Sequence, residues 1–130
     1  MRKRGRPKVL SDEERKNRKA ERFKNYAQKH RGEINRSIQR CNERLRMEVL
    51  KAYGGEEPKC ACCDEKEIKF LSIDHVEGNG NAHRRNIVKS RSGYQFYRWL
   101  KKNNFPSGFQ VLCYNCNMAK GFYGICPHKC

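Results

Sequence analysis

Apolar residues are sparse and periodic through position 59 and dense only from Ile68 onward, so the chain divides into an arm and a core. Ser11-Asp12-Glu13-Glu14 has the spacing of a capping box, with Ser11 as N-cap and Glu14 three residues on. It predicts a helix running toward His30 or Arg31, with Gly32 breaking or weakening it. Only Phe23, Tyr26 and Ala27 give that helix apolar content. Beyond Glu33, the positions Ile34, Ile38, Cys41, Leu45 and Val49 recur at three- and four-residue spacing, which predicts a second helix stopped by Gly54-Gly55. Cys41 reads as a small packing residue on that stripe, and Arg36, Arg40, Arg44 and Arg46 lie mostly off it. Farther along, 68–73 is apolar and partly β-branched, a strand by composition. Residues 76–81 are Gly- and Asn-rich and form a loop. Residues 94–102 suit a short helix with Tyr94, Tyr97 and Leu100 turned inward. A second strand covers 109–112, and a last helix opens at Asn117, with Gly121 ending or weakening it. Strand, long loop, strand, helix is a ββα unit carrying an inserted helix. The fold class is α+β, divided into a tail (1–10), a helical arm (11–55) and a core domain (56–130).

Charge changes the reading of the arm. Lys and Arg number 30 against 14 acids, a net +16, in a chain of 130 residues that is 36% apolar. Residues 1–59 hold 19 bases and 9 acids, and residues 60–130 hold 11 and 5, so the excess has one sign throughout. The expected partner is a polyanion, of which DNA is the commonest. The arginine face of the second helix suits phosphate contacts, which supply affinity without reading bases. Arg4-Gly5-Arg6-Pro7 resembles the core of an AT-hook, and the resemblance implies that Arg4 and Arg6 lie along a narrow minor groove. The basic start lacks an apolar signal region, and no run approaches membrane-spanning length. An intracellular protein, cytoplasmic or in the nucleoid or nucleus, is therefore expected, with no membrane partner.

In that setting the eight cysteines point to metal rather than disulfides. Cys60-x-x-Cys63 and Cys113-x-x-Cys116 are knuckles of the kind that close a tetrahedral zinc site, with Cys62 able to replace Cys63. Such a staple contributes folding free energy to a domain whose core is small. Cys126, His128 and Cys130 offer further ligands, which with Cys62 could form a second site; the alternative is a loose tail.

Asp74-His75 and Asn117 are not needed by a structural zinc. Asp74 and Asn117 supply oxygen ligands suited to Mg²⁺ or Mn²⁺, too few to fill six positions, so water and phosphate can enter. His75 titrates near neutrality and can accept a proton from water. Neighbouring strand residues face opposite ways, so the strand is expected to end or bulge at this pair. His83 is a candidate to hold a phosphate or assist the metal, the alternative being a surface histidine, and Arg84 and Arg85 are candidates for clamping the backbone.

The region 60–128 resembles the zinc-bearing HNH endonucleases (His-Me finger, ββα-metal), particularly small phage and mobile-element forms. Asp74-His75, the two knuckles and Asn117 after the last of them carry the resemblance. It implies a phosphodiester hydrolase leaving 5′-phosphate and 3′-hydroxyl ends. His75 would be the general base, and Asp74 with Asn117 would hold one divalent ion. Gly108 stands where that family often has an Asn that orients the histidine, leaving Asn115 or Gln110 to do so. Two other readings remain open. One is a non-catalytic zinc-knuckle nucleic-acid binder. The other is a junction-resolvase-like nuclease that dimerises through the 34–49 helix.

Overall fold

The computed structural model describes residues 9–89 and 92–129. The AT-hook-like Arg4 and Arg6, and Cys130, lie outside them. The described elements are α1 (Asp12–Lys29), α2 (Arg31–Gly54), β1 (Leu71–His75), α3 (Gly80–His83), α4 (Gly93–Lys102), β2 (Phe109–Cys113) and α5 (Tyr114–Tyr123). Mixed helix and strand make this an α+β chain. Two compact units divide it, the first ending at Arg40 and the second starting at Cys41.

In the first unit, the Ser11 hydroxyl accepts from the Glu14 amide at 3.2 Å, and the Glu14 carboxylate accepts from the Ser11 amide at 2.8 Å. The capping box is thus reciprocal, and three acidic residues sit at the positive end of the α1 dipole. No residue of α1 is buried, as its thin apolar content implies. His30 caps α1 and α2 starts one residue later, so Gly32 lies within a helix and does not break it.

The second unit takes in the C-terminal part of α2, so part of the arm assigned to 11–55 belongs to the core. Val49 and Leu50 are fully buried, and Leu45 and Tyr53 pack beside them. Arg46 was expected on the outer face; instead its guanidinium donates to the carbonyls of Lys69 and Leu71, tying α2 to the start of β1. The Tyr53 hydroxyl donates to the Pro106 carbonyl at 2.8 Å, and burial pushes its pKa up to about 12. Cys41 is exposed rather than packed, and Ile38 is half exposed. Within the second unit, the predicted stripe meets the core at Leu45 and Val49.

β1 and β2 pair antiparallel without a bulge, in the register Leu71↔Cys113, Ser72↔Leu112, Ile73↔Val111, Asp74↔Gln110, His75↔Phe109. Alternation puts Leu71, Ile73 and His75 on the face covered by Phe96 and Leu100 of α4. Ser72 and Asp74 take the opposite face, toward α5. The expected first strand at 68–73 lies too early: Ile68–Phe70 is a 3-10 turn, capped by the Glu67 carboxylate, which accepts from the Lys69 amide. In α4 Phe96 and Leu100 are buried and Tyr97 packs half-buried against the core, so Leu100 and Tyr97 turn inward as expected, whereas Tyr94 is exposed. The Phe96 ring takes the site over His75 at the end of β1. α5 starts three residues before Asn117 and runs through Gly121, because the Cys113 thiol accepts from the Cys116 amide and acts as its N-cap. Among the described residues no helix is long and apolar enough to cross a membrane.

Candidate active site and cysteine cluster

His75 closes β1 and is buried. Its ring lies nearly parallel to Phe96 (centroids 5.3 Å apart, planes at 16°) and edge-on to Phe109 at 4.8 Å and His83 at 5.0 Å. The orienting group sought at Gly108, Asn115 or Gln110 is thus replaced by aromatic packing. Gly108 adopts φ +97°, which favours glycine, and its carbonyl accepts from the Val76 amide at 3.0 Å. Asn115 is exposed, and Gln110 serves the other face of the hairpin. Gly80 lets the backbone approach the ring, since a Cβ there would lie 3.0 Å from His75 Nδ1. Burial lowers the His75 pKa, and the charges of His83, Arg84 and Lys120 add to this against the opposing pull of Asp74. The neutral imidazole is therefore the stable form at pH 7, and its Nε2 is buried with no hydrogen-bond partner.

Asp74 is held from two sides. Gln110 Nε2 donates to its Oδ2 at 2.9 Å, and Lys120 Nζ donates to the same oxygen at 2.6 Å. Lys120 also donates to the His75 carbonyl at 2.7 Å and the Val76 carbonyl at 2.9 Å, so one ammonium closes the end of β1. Both of these side-chain donors use Oδ2 and neither engages Oδ1. Asn117, one turn before Lys120, donates from Nδ2 to Ser72 Oγ at 3.1 Å, and that hydroxyl donates to the Leu112 carbonyl at 3.0 Å. The amide is anchored through its nitrogen.

These side chains meet at one groove of about 560 Å³, lined by Asp74, His75, Asn117, Lys120 and Arg84 together with the loop after β1. Asp74 and His75 leave opposite faces of the strand and are brought together because β1 ends there, with no bulge. Two expected participants stand elsewhere. His83 is not among the groove-lining residues: it lies edge-on to Trp99 at 4.4 Å and behind His75, with Nδ1 buried and unpartnered. Burial, and then Arg84, lowers its pKa. Arg85 is exposed one residue beyond the groove, whereas Arg84 lines it with its guanidinium 5.6 Å from the Phe96 ring centre. Lys120 was missed in the sequence, although it follows Asn117 at the helical three-residue spacing that puts both on one face.

The ligand atoms of Cys60, Cys63, Cys113 and Cys116 lie within 4.8 Å of one another and could hold a metal ion. Sulfurs about 2.3 Å from a central zinc would form a tetrahedron with edges of about 3.8 Å. The Cys63 and Cys113 sulfurs are 3.7 Å apart. Amides donate to two of the sulfurs, Cys62 N to Cys60 Sγ and Cys116 N to Cys113 Sγ, both at 3.4 Å, which favours thiolates. Burial opposes ionisation of Cys60, yet amides of Cys113, Cys63 and Cys62 bring its pKa down to about 7. Comparison with protein-family models, curated proteins and solved structures returns no match, so this constellation is read from its own geometry.

Proposed function

We propose that the chain is a metal-dependent DNA endonuclease of the HNH kind. One observation carries the reading: a buried imidazole held neutral, a tethered carboxylate and a tethered amide converge on one groove of a strongly basic chain. In this reading, the cysteine cluster holds a structural zinc. Asp74 and Asn117 would hold Mg²⁺ or Mn²⁺, which supplies charge for the scissile phosphate and its leaving oxygen. His75 takes the proton of the attacking water, and its aromatic box fixes the ring without using a hydrogen bond. Arg84 faces the phosphate backbone from the groove wall, and the exposed bases of α1 add sequence-independent affinity. His83 acts through His75, as packing behind its ring.

The test is conversion of supercoiled plasmid to nicked or linear forms with Mg²⁺ or Mn²⁺. A positioned general base contributes about 10²–10⁴-fold, so His75→Ala should lower the rate by at least about 10² with DNA binding retained. Cleavage that persists at the wild-type rate in His75→Ala would sink the mechanism. A second reading, a non-catalytic nucleic-acid-binding module, draws on the Lys120 ammonium seated against Asp74, an internal cation that could satisfy the carboxylate permanently. Absence of cleavage with any divalent ion, alongside tight DNA binding, would favour it.

A further inference from the structure

We infer that the cysteine cluster is dinuclear: two metal ions of the zinc type share the Cys116 thiolate, the second held by Cys62, Cys126 and His128. This inference is independent of the nuclease reading. The ligand atoms of Cys62, Cys116, Cys126 and His128 also lie within 4.8 Å of one another, and Cys116 is common to both sets. Two tetrahedral ions that share one ligand need seven in all, and the two sets together supply seven.

Distances in the second set fit an occupied tetrahedron. With zinc–nitrogen and zinc–sulfur bonds of about 2.0 and 2.3 Å, a nitrogen–sulfur edge comes to about 3.5 Å. His128 Nδ1 lies 3.4 Å from Cys116 Sγ and 3.5 Å from Cys126 Sγ. Cys116 is fully buried between the two sets, the place a bridging sulfur must take.

The C-terminal segment supplies a second argument. Phe122 and Tyr123 at the end of α5 and Ile125 beyond it are all well exposed, so little apolar burial holds this part of the chain. Cys126 is nonetheless buried, and the 3-10 turn Pro127–Lys129 brings His128 back to α5. A metal ion accounts for that order, because coordination provides directly the folding free energy that the apolar contacts lack.

Metal content of the full chain, prepared with zinc and dialysed free of excess, is measured by native mass spectrometry. We expect two zinc ions per chain, and one in the Cys126→Ser/His128→Ala double variant with the circular dichroism of the fold kept. One zinc in the wild type, or the same count in wild type and variant, overturns the inference. Should the variant not fold, ¹¹³Cd NMR of the cadmium-loaded wild type decides. Two resonances sharing a scalar coupling through the common sulfur uphold the bridge, and a single or an uncoupled pair of resonances overturns it.

Discussion

Replacing Lys120 by Met keeps the aliphatic stem and removes the ammonium that closes the end of β1. Three acceptors lose one donor each: Asp74 Oδ2 at 2.6 Å, which keeps Gln110, the His75 carbonyl at 2.7 Å, which keeps the Gly78 amide, and the Val76 carbonyl at 2.9 Å. An exposed ion pair is worth about 0–1 kcal/mol, whereas breaking a buried one costs about 3–5. The Lys120 and Asp74 side chains are 22% and 11% exposed, nearer the buried limit. A loss of about 2–4 kcal/mol follows, which in a domain this small lowers the melting temperature by on the order of 10–20 °C. Lys120 also competes for the carboxylate proposed to hold a divalent ion. Without it, Mn²⁺ should bind Asp74 more tightly, and a ligand at 100 times its Kd adds about 2.7 kcal/mol. The assay is thermal unfolding of both proteins in chelator-free buffer, with and without saturating Mn²⁺, so that the cysteine-bound metal stays in place. Mn²⁺ should raise the variant's melting temperature more than the wild type's. An equal gap in both buffers would refute the competition, and a loss below about 1 kcal/mol would refute the estimate of burial.

Tyr53→Phe removes the hydroxyl donor to the Pro106 carbonyl and should cost about 0.5–1.5 kcal/mol in urea unfolding; an unchanged midpoint would show that this bond contributes nothing. His83 has a folded pKa below its ordinary value of 6.5, so the unfolded chain takes up the proton first as pH falls. Its contribution to stability is complete above pH 6.5 and drains away below it, toward the lower folded value. The melting temperature of His83→Gln should therefore fall less steeply between neutrality and mild acid than that of the wild type, and parallel profiles would contradict the assignment.

The capping box of α1 and the knuckles were legible because each is a local pattern: a few side chains at fixed spacing whose partners lie within one turn. The stripe of α2 showed a helix but not where its packing begins, since Cys41 and Val49 share a face and differ only in what lies opposite. In the candidate site, strand parity alone put Asp74 and His75 on opposite faces, although the strand runs from Leu71 to His75 and not over 68–73. The support for His75 could not be read in this way. It comes from Phe96, Phe109 and His83, joined to it through tertiary packing, while the family resemblance directed attention to a polar group near Gly108. Lys120 was hidden for a different reason, being one lysine among many in a basic chain, and only the carbonyls converging on it set it apart.

The hairpin has an unusual division of labour. At its open end the Val76 amide meets the Gly108 carbonyl at 3.0 Å, so the chain leaves β1 and re-enters β2 through a stitched neck. Everything between, α3 and α4 included, is an insert. Phe96, which stacks on the His75 ring, travels with that insert, whereas Gln110 and Lys120, which hold Asp74, and the linked pair Ser72 and Asn117 belong to the frame. An insert exchanged at the neck would retune the imidazole while leaving the carboxylate's surroundings as they are. The surroundings of the imidazole and of the carboxylate are thus two separately adjustable parts of one small hairpin.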